Sequence, residues 1–306
     1  MLGADGSSLG HGGHGLTVMD GAVTTVGVLV PNYNYAEYLP ERLASIRLQD
    51  RSVDSVVFLD DASTDGSWDI AQAALQDFTC PVVAHAGAVN SGNVLRQWQR
   101  GLERLDTDLA WIAEADDRAK PGLLASLVAR FEADPKAILA CCDSSAIGAQ
   151  GETTAPDSQA YYAAHGDTGL AQDGVFDAQA FAERFLCPRN LLVSASATVW
   201  RRSVLAAALA RLEAELPEWL CAGDWRTYVE ACAPGGMVHV VAAPLNEHRR
   251  HAGSVTGRTP RSRHFAEVVA MHVTLRHRFG PQPERDAAMR RHLADLRQAW
   301  DLDAAA

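Results

Sequence analysis

The chain has 306 residues and a formal net charge of −11, with a pI near 5.4. That acidity excludes a general polyanion binder, which carries a basic surface, but leaves room for a local basic pocket. With 47% hydrophobic and 21% charged residues, the chain can bury a sizeable core in one large or two small domains.

Residues 1–22 are rich in Gly, Ser and His and show no periodicity. They are predicted to be a flexible leader, and His11 and His14 are assigned no role. Thr24–Pro31 is a β-branched run, as in a strand buried on both faces. Apolar spacing predicts a helix over Ala36–Gln49. A second strand over 55–59 runs straight into Asp60-Asp61, and a helix over 68–77 follows. Strand, polar loop and helix thus occur twice, which predicts βαβ units and a parallel sheet. A short strand over Pro81–His85 precedes a helix over 93–105 that places Val94, Leu95, Trp98 and Leu102 on one face. The fourth strand, 108–113, ends in Glu114-Ala115-Asp116-Asp117. A helix over 121–132 and a strand over Ala137–Cys142 follow.

Between 148 and 175 the pattern weakens, and loops or a small insertion are expected. A helix is predicted over 177–186 and a strand over Asn190–Trp200. Cys221-Ala222-Gly223-Asp224-Trp225 opens a helix to Cys232, and Gly235-Gly236 turns into a strand over 237–243. Leu245–Thr256 reads as a polar, basic loop. Helices near 262–278 and 282–300 end the chain; their Arg-rich faces are either solvated or turned to a partner or membrane surface.

The six cysteines form no Cys-x-x-Cys pair, so zinc-ribbon spacing is absent. Cys141 and Cys142 read as buried thiols. No secretory h-region is seen, and no apolar run reaches the ~20 residues that span a bilayer. The expectation is a cytoplasmic protein that binds no nucleic acid, with peripheral association at the inner membrane face left open.

Two strands of one sheet end in paired carboxylates, Asp60-Asp61 and Asp116-Asp117. Ligands of open α/β sheets sit at the carboxyl ends of the strands. Adjacent carboxylates repel unless a cation or a shared proton offsets them, and a hard divalent cation holding phosphate suits that place. Capping alone accounts for Ser63 or Asp65 but not for acids at the strand ends.

The segments VPNYNYAEYLPERLASIRLQD, VVFLDDASTDGSWDIA and WIAEADD resemble the family 2 glycosyltransferases of GT-A fold. NSGNVLRQWQRGL, Asn190–Arg202, AGDWRTYVEA and LNEHRRHAGSVT are similar to its bacterial polysaccharide branch. Each motif is weak alone, but together they stand in the family's order from residue 24 to 256. The resemblance implies an α/β GT-A fold with a Rossmann-like, mostly parallel sheet and a C-terminal helical extension. It divides the chain into a glycosyltransferase domain over 23–257, with a nucleotide half (23–145) and an acceptor half (146–257), and helices over 258–306.

The activity implied is metal-dependent, inverting transfer of a sugar from a nucleotide-diphosphate donor to a hydroxyl of a glycan or lipid-linked saccharide, in O-antigen or capsule synthesis. Asp61 would contact the base. Asp117 would hold Mg²⁺ or Mn²⁺ with help from His251, and Asp116 would lie near the ribose or sugar. Ala115 stands where the family often has Asp or Ser. Pro31, Tyr33, Asn34, Asn93 and Arg96 are further donor candidates. Arg249 and Arg250, in the His248–His251 cluster, are either a diphosphate clamp or a solvated patch. Asp224 is either the base that takes the acceptor proton or a helix cap, and the two roles are compatible. On the acceptor side, Asn190, Ser194 and Ser196 line the site or belong to a core strand; Trp219 and Trp225 stack on sugar or pack the core. Two other classes remain: a catalytically silent sugar-nucleotide or glycan-binding module, and a nucleotidyltransferase. The latter calls for a Gly- and Arg/Lys-rich phosphate loop after the first strand, which Asn32-Tyr33-Asn34-Tyr35 is not.

Overall fold

A computed structural model describes residues 23–302; the leader expected over 1–22 lies outside the described residues. The first half alternates strands and helices: β1 (Val26–Asn32), α1 (Leu39–Arg47), β2 (Ser55–Asp60), α2 (Ser67–Leu75), β3 (Val82–Ala86), α3 (Val94–Leu102) and β4 (Leu109–Ile112). Every residue of β1 and β4 is buried, as their unbroken apolar runs demand. α1 begins later than predicted. Tyr35 O accepts from the N–H groups of Tyr38 and Leu39, so residues 35–38 form a turn, and Pro40 fits the first helical turn that follows.

Next come β5 (Arg118–Ala119), α4 (Leu123–Ala133) and β6 (Ala137–Ile147). β6 runs past its predicted end because Asp143 is satisfied inside the protein: Ser144 N–H, Ser158 N–H and the Tyr162 hydroxyl all donate to it. The segment expected as loops holds β7 (Thr153–Ala155), α5 (Gln159–Ala164) and β8 (Gly174–Asp177). α6 (Ala178–Phe185) is capped by Asp177. The predicted strand over Asn190–Trp200 is shorter: only β9 (Thr198–Arg201) is extended, after a 3₁₀ turn at Ala195–Ala197. α7 (Arg202–Arg211), which the periodicity did not reveal, α8 (Gly223–Cys232), β10 (Met237–Arg249), α9 (Val255–Arg258), α10 (Arg261–Phe279) and α11 (Pro283–Ala299) complete the chain.

The main sheet order is β3-β2-β1-β4-β9-β6-β10-β5, with β7 on β6 and β8 on β10. The first four strands are parallel. β9 is antiparallel to both β4 and β6, while β6 and β10 pair in parallel. The sheet is therefore mixed, with its Rossmann-like half at β1–β4. Alternate residues face opposite layers. Val28, Val30, Phe58 and Trp111 pack beneath α1, α2 and α4. Leu29, Leu59, Ile112 and Trp200 pack against α3, α7, α8 and the C-terminal helices.

α3 lies close on β1 because residue 101 is glycine. A Cβ there would overlap the fully buried Leu29 side chain. Gly101→Ala is expected to destabilise the fold by about 1–3 kcal/mol through overpacking, read as a lower denaturant midpoint.

Candidate active site

The chain runs from β1 outward to β2 and β3, then returns to place β4 on the other side of β1. That reversal opens a crevice at the carboxyl ends of the strands. A cleft of about 670 Å³ occupies it. One wall comes from the ends of β1, β2 and β4, another from the start of α8 and the 190–195 segment, and a third from β10 and the C-terminal helices.

The turn after β4 sends its adjacent carboxylates in different directions. Asp117 N–H donates to Glu114 O at 3.2 Å, and the Asp117 side chain is turned inward, 2% exposed. Its Oδ2 accepts from the Ser194 hydroxyl at 2.7 Å and its Oδ1 from Arg249 N–H at 2.9 Å. His248 Nδ1 stands 3.3 Å from Oδ1. Burial opposes ionisation, but His248, the Arg249 amide and Arg42 hold the carboxyl well below the usual range. Arg42 is fully buried under the Trp111 ring, and burial lowers it to about 10.

Asp116 faces the cleft, and its Oδ2 lies 3.0 Å from His251 Nε2. His251 in turn packs edge-on against Tyr35 and Tyr38. The imidazole predicted to assist Asp117 thus sits on Asp116 instead. Glu114 also lines the cleft. Burial and the Asp116 charge raise it to about 8, although it accepts a hydrogen bond from Trp98 Nε1 at 2.9 Å.

The basic cluster is not a loop. β10 extends to Arg249, pairing with β6 through Arg249↔Ile147, so neighbouring side chains point to opposite faces. His248 and Arg250 line the cleft. Arg249 points away and is 3% exposed. Its guanidinium donates to Asp116 O, Gly148 O, Ala149 O and Glu41, and lies over the Tyr38 ring. It buttresses the acidic turn from behind and is not a fork open to diphosphate.

At the nucleotide end, Asp61 lines the cleft. Ser91 N–H, the Ser91 hydroxyl and Gln97 Nε2 all donate to its carboxylate. Asp60 is structural, bonded to Asn32 Nδ2 and Ser63 N–H. Pro31 and Tyr33 line the cleft; Asn34 does not. Asn34 has φ 57° and ties the two strand-end loops together through Ser63 Oγ and Thr64 N–H. Asn93 borders the cleft, but its amide is engaged elsewhere. It caps α3 at Leu95 N–H and donates to Leu216 O and Trp219 O. Arg96 lies outside, in a separate shallow groove with Gln99, Arg100 and Glu213.

Asp224 is the second residue of α8, two places after Ala222 at the N-cap. It accepts from Trp225 N–H at 2.6 Å and from Asn190 Nδ2 at 3.4 Å. Burial pushes its carboxyl up to about 6, opposed by His248. Asn190 and Trp225 line the cleft, whereas Trp219 packs in the core. Trp225 Nε1 donates to Leu186 O at 2.7 Å, which fixes the ring. Ser194 and Ser196 serve the acidic turn, binding Asp117 and Glu114 N–H.

Several cleft residues carry no sequence-based assignment: Glu114, Tyr35, Gln97, Arg189, Arg258, His264 and Trp300. Glu114 was legible as the third acid of its turn. The others depend on how distant segments meet. The His264 and Trp300 rings pack at a tilt of 37° with centroids 4.9 Å apart, on helices that wall the cleft.

The family model of Glycosyl transferase family 2 matches residues 27–181. Abequosyltransferase RfbV of Salmonella typhimurium is 29% identical over 125 residues, taking in 40% of this chain and 37% of that protein. Uncharacterized glycosyltransferase alr2836 of Nostoc sp. is 30% identical over 107 residues, 35% of this chain and 33% of that one. The matches thus span about a third of the length of these curated relatives. Among solved structures, mannosyltransferase PcManGT from Pyrobaculum calidifontis, in complex with GDP-Man and Mn²⁺, superposes with TM-score 0.60 at 20% identity, covering 92% of this chain and 73% of that one. S. aureus TarS 1–349 in complex with UDP-GlcNAc gives 0.58 at 15% identity, covering 90% and 81%. These likenesses share the GT-A fold, and by its match over half its length the chain belongs to glycosyl transferase family 2.

Proposed function

We propose that the chain transfers a sugar from a nucleotide-diphosphate donor to a hydroxyl acceptor, with inversion and with a divalent metal. The observation that supports this most is that Asp224, raised to about 6, lines one cleft with Asp116, whose carboxylate meets the buried His251 from behind. A base near neutral and a cation-ready carboxylate belong to different tasks, and this reaction uses both.

The donor base lies beside Asp61, where one of its N–H groups takes the place of the Ser91 hydroxyl. The diphosphate passes Asp116, with Arg250 and Arg258 on the same cleft as cationic partners. The acceptor approaches between Asn190, Trp225 and the helices carrying His264 and Trp300. Its hydroxyl oxygen attacks the anomeric carbon as the bond to the diphosphate breaks. Asp224 takes the proton, held in place by Asn190 Nδ2.

Among the described residues, no group of three or more His, Cys, Asp or Glu is placed to hold a metal alone. The donor set still suits Mg²⁺ or Mn²⁺, which bind through one or two protein groups plus substrate phosphates. Asp116 and His251 would hold the ion, which offsets charge on the departing diphosphate when bound. A role in cell-surface polysaccharide assembly is consistent with the abequosyltransferase relative. Among the described residues no helix is long and apolar enough to cross a membrane.

A thermal-shift panel of UDP-, GDP-, dTDP- and CMP-sugars, with and without Mn²⁺, tests the reading. One nucleotide class is expected to raise the melting temperature only with Mn²⁺, and that donor is then expected to be hydrolysed slowly. No Mn²⁺-dependent shift for any of them would sink the metal-dependent donor assignment. Binding without hydrolysis or transfer would leave a sugar-nucleotide-binding module.

A further inference from the structure

The turn before α8 is held by a carboxylate from outside the matched family region. The N–H groups of Leu220, Cys221 and Ala222 converge on one oxygen, Glu267 Oε2, at 3.0, 2.8 and 3.0 Å. Glu267 is 4% exposed and lies on α10. Its other oxygen accepts from Arg263 Nε at 3.2 Å, and Arg263 also donates to Glu218 O at 2.6 Å. Consecutive N–H groups pointing one way make an anion-binding concavity; here the protein fills it with its own side chain. Ala222, at the helix N-cap, offers no side-chain acceptor. Residues 220–224 all line the cleft, so whatever fixes 220–222 fixes the direction in which Asp224 emerges.

We infer that Glu267 is a positioning residue for Asp224: the C-terminal helix α10 sets the base through three backbone hydrogen bonds. The inference rests on the proposed role of Asp224. It makes α10 a working part of the site and not an appendage. Charge-assisted bonds are roughly twice as strong as neutral ones, so the carboxylate anchors the turn better than an amide would. Glu267 also contributes a negative charge facing Asp224. The other titratable groups facing it are His248 from β10, Cys221 from the turn and Tyr228 from α8 itself. Of these, His248 lowers the Asp224 carboxyl and Glu267 raises it.

Two variants of the full chain test this, with UDP-GlcNAc and GDP-mannose plus Mn²⁺ as donor probes. Glu267→Ala removes the acceptor for all three N–H groups. The amides of Leu220, Cys221 and Ala222 are expected to exchange faster with solvent. Donor hydrolysis is expected to fall about 100-fold in kcat, the scale of a misplaced catalytic group, with donor KM unchanged. Glu267→Gln keeps an oxygen acceptor but removes the charge. It is expected to fold, to retain most of kcat, and to move the acid limb of the pH profile to lower pH; a purely structural role would not move that limb. Unchanged exchange at the three amides, a change in KM without one in kcat, or an unmoved limb in Glu267→Gln overturns the inference. Should the unaltered chain hydrolyse neither donor, the proposed function fails on these probes, while the exchange result alone decides whether Glu267 holds the turn.

Discussion

Asp224→Asn is expected to remove at least about 100-fold of transfer, the lower end of what a general base supplies, while donor affinity stays as in the unaltered chain. The carboxylate has one neutral donor aimed at it, Asn190 Nδ2, and a backbone N–H from Trp225. Asn can keep a contact with Asn190 but cannot take a proton. The unaltered chain should lose activity as pH falls through about 6, because the base must be ionised and burial has pushed its carboxyl to that value. The stability effect runs the other way. A carboxyl raised in the folded state favours its protonated form, so its contribution to stability is present at low pH. That contribution is lost as pH rises from the ordinary Asp range through about 6. The loss is roughly 3 kcal/mol at most, at 1.4 kcal/mol per unit. The Asn variant should therefore melt higher than the unaltered chain at pH 8 and about equally at pH 4. A variant that still turns over at the normal rate, or that melts lower at pH 8, refutes the assignment of Asp224 as a desolvated base.

Asp116→Asn is expected to abolish the Mn²⁺ dependence of donor binding. It should weaken affinity by at least the 10–100-fold typical of losing even an outer partner of a metal. EDTA should do the same to the unaltered chain. The control is Asp117→Asn. Asp117 accepts from Ser194 and from the Arg249 amide, and it faces His248. Its charge also stands against the fully buried Arg42, so losing it should cost about 3–5 kcal/mol of stability, as when a buried ion pair loses one partner. Equal donor affinity with and without EDTA in the unaltered chain would remove the metal from the mechanism. A Mn²⁺ effect that survives in Asp116→Asn and vanishes in a folded Asp117→Asn would return the metal to Asp117.

Much of the nucleotide half was legible locally. Strands covered on both faces need continuous apolar runs, and these bracketed β1, β2 and β4 to within a few residues. The acids at their ends were visible for the same reason: a charge ends such a run. Arg249 shows where local reading stopped. A basic stretch without apolar alternation reads as a loop. The ladder to β6 makes it a strand, and only then does period-two alternation turn His248 and Arg250 to the cleft and Arg249 to the core. Asn93, a donor candidate from its sequence, borders the cleft but caps α3 at Leu95 N–H, and its amide is claimed by Leu216 and Trp219, more than 120 residues away.

The sequence by itself determined the family, the parallel strands of the nucleotide half and the presence of carboxylates at their ends, because those features are written in neighbouring residues. The division of labour was decided by tertiary structure. Which of Asp116 and Asp117 faces the cleft depends on Ser194, Arg249 and His251, which reach the acidic turn from 77, 132 and 135 residues away. The elevated carboxyl of Asp224 depends on desolvation in a cleft that helices later in the chain help to wall. A side chain's direction and its desolvation are properties of what packs around it, and those partners are remote in sequence.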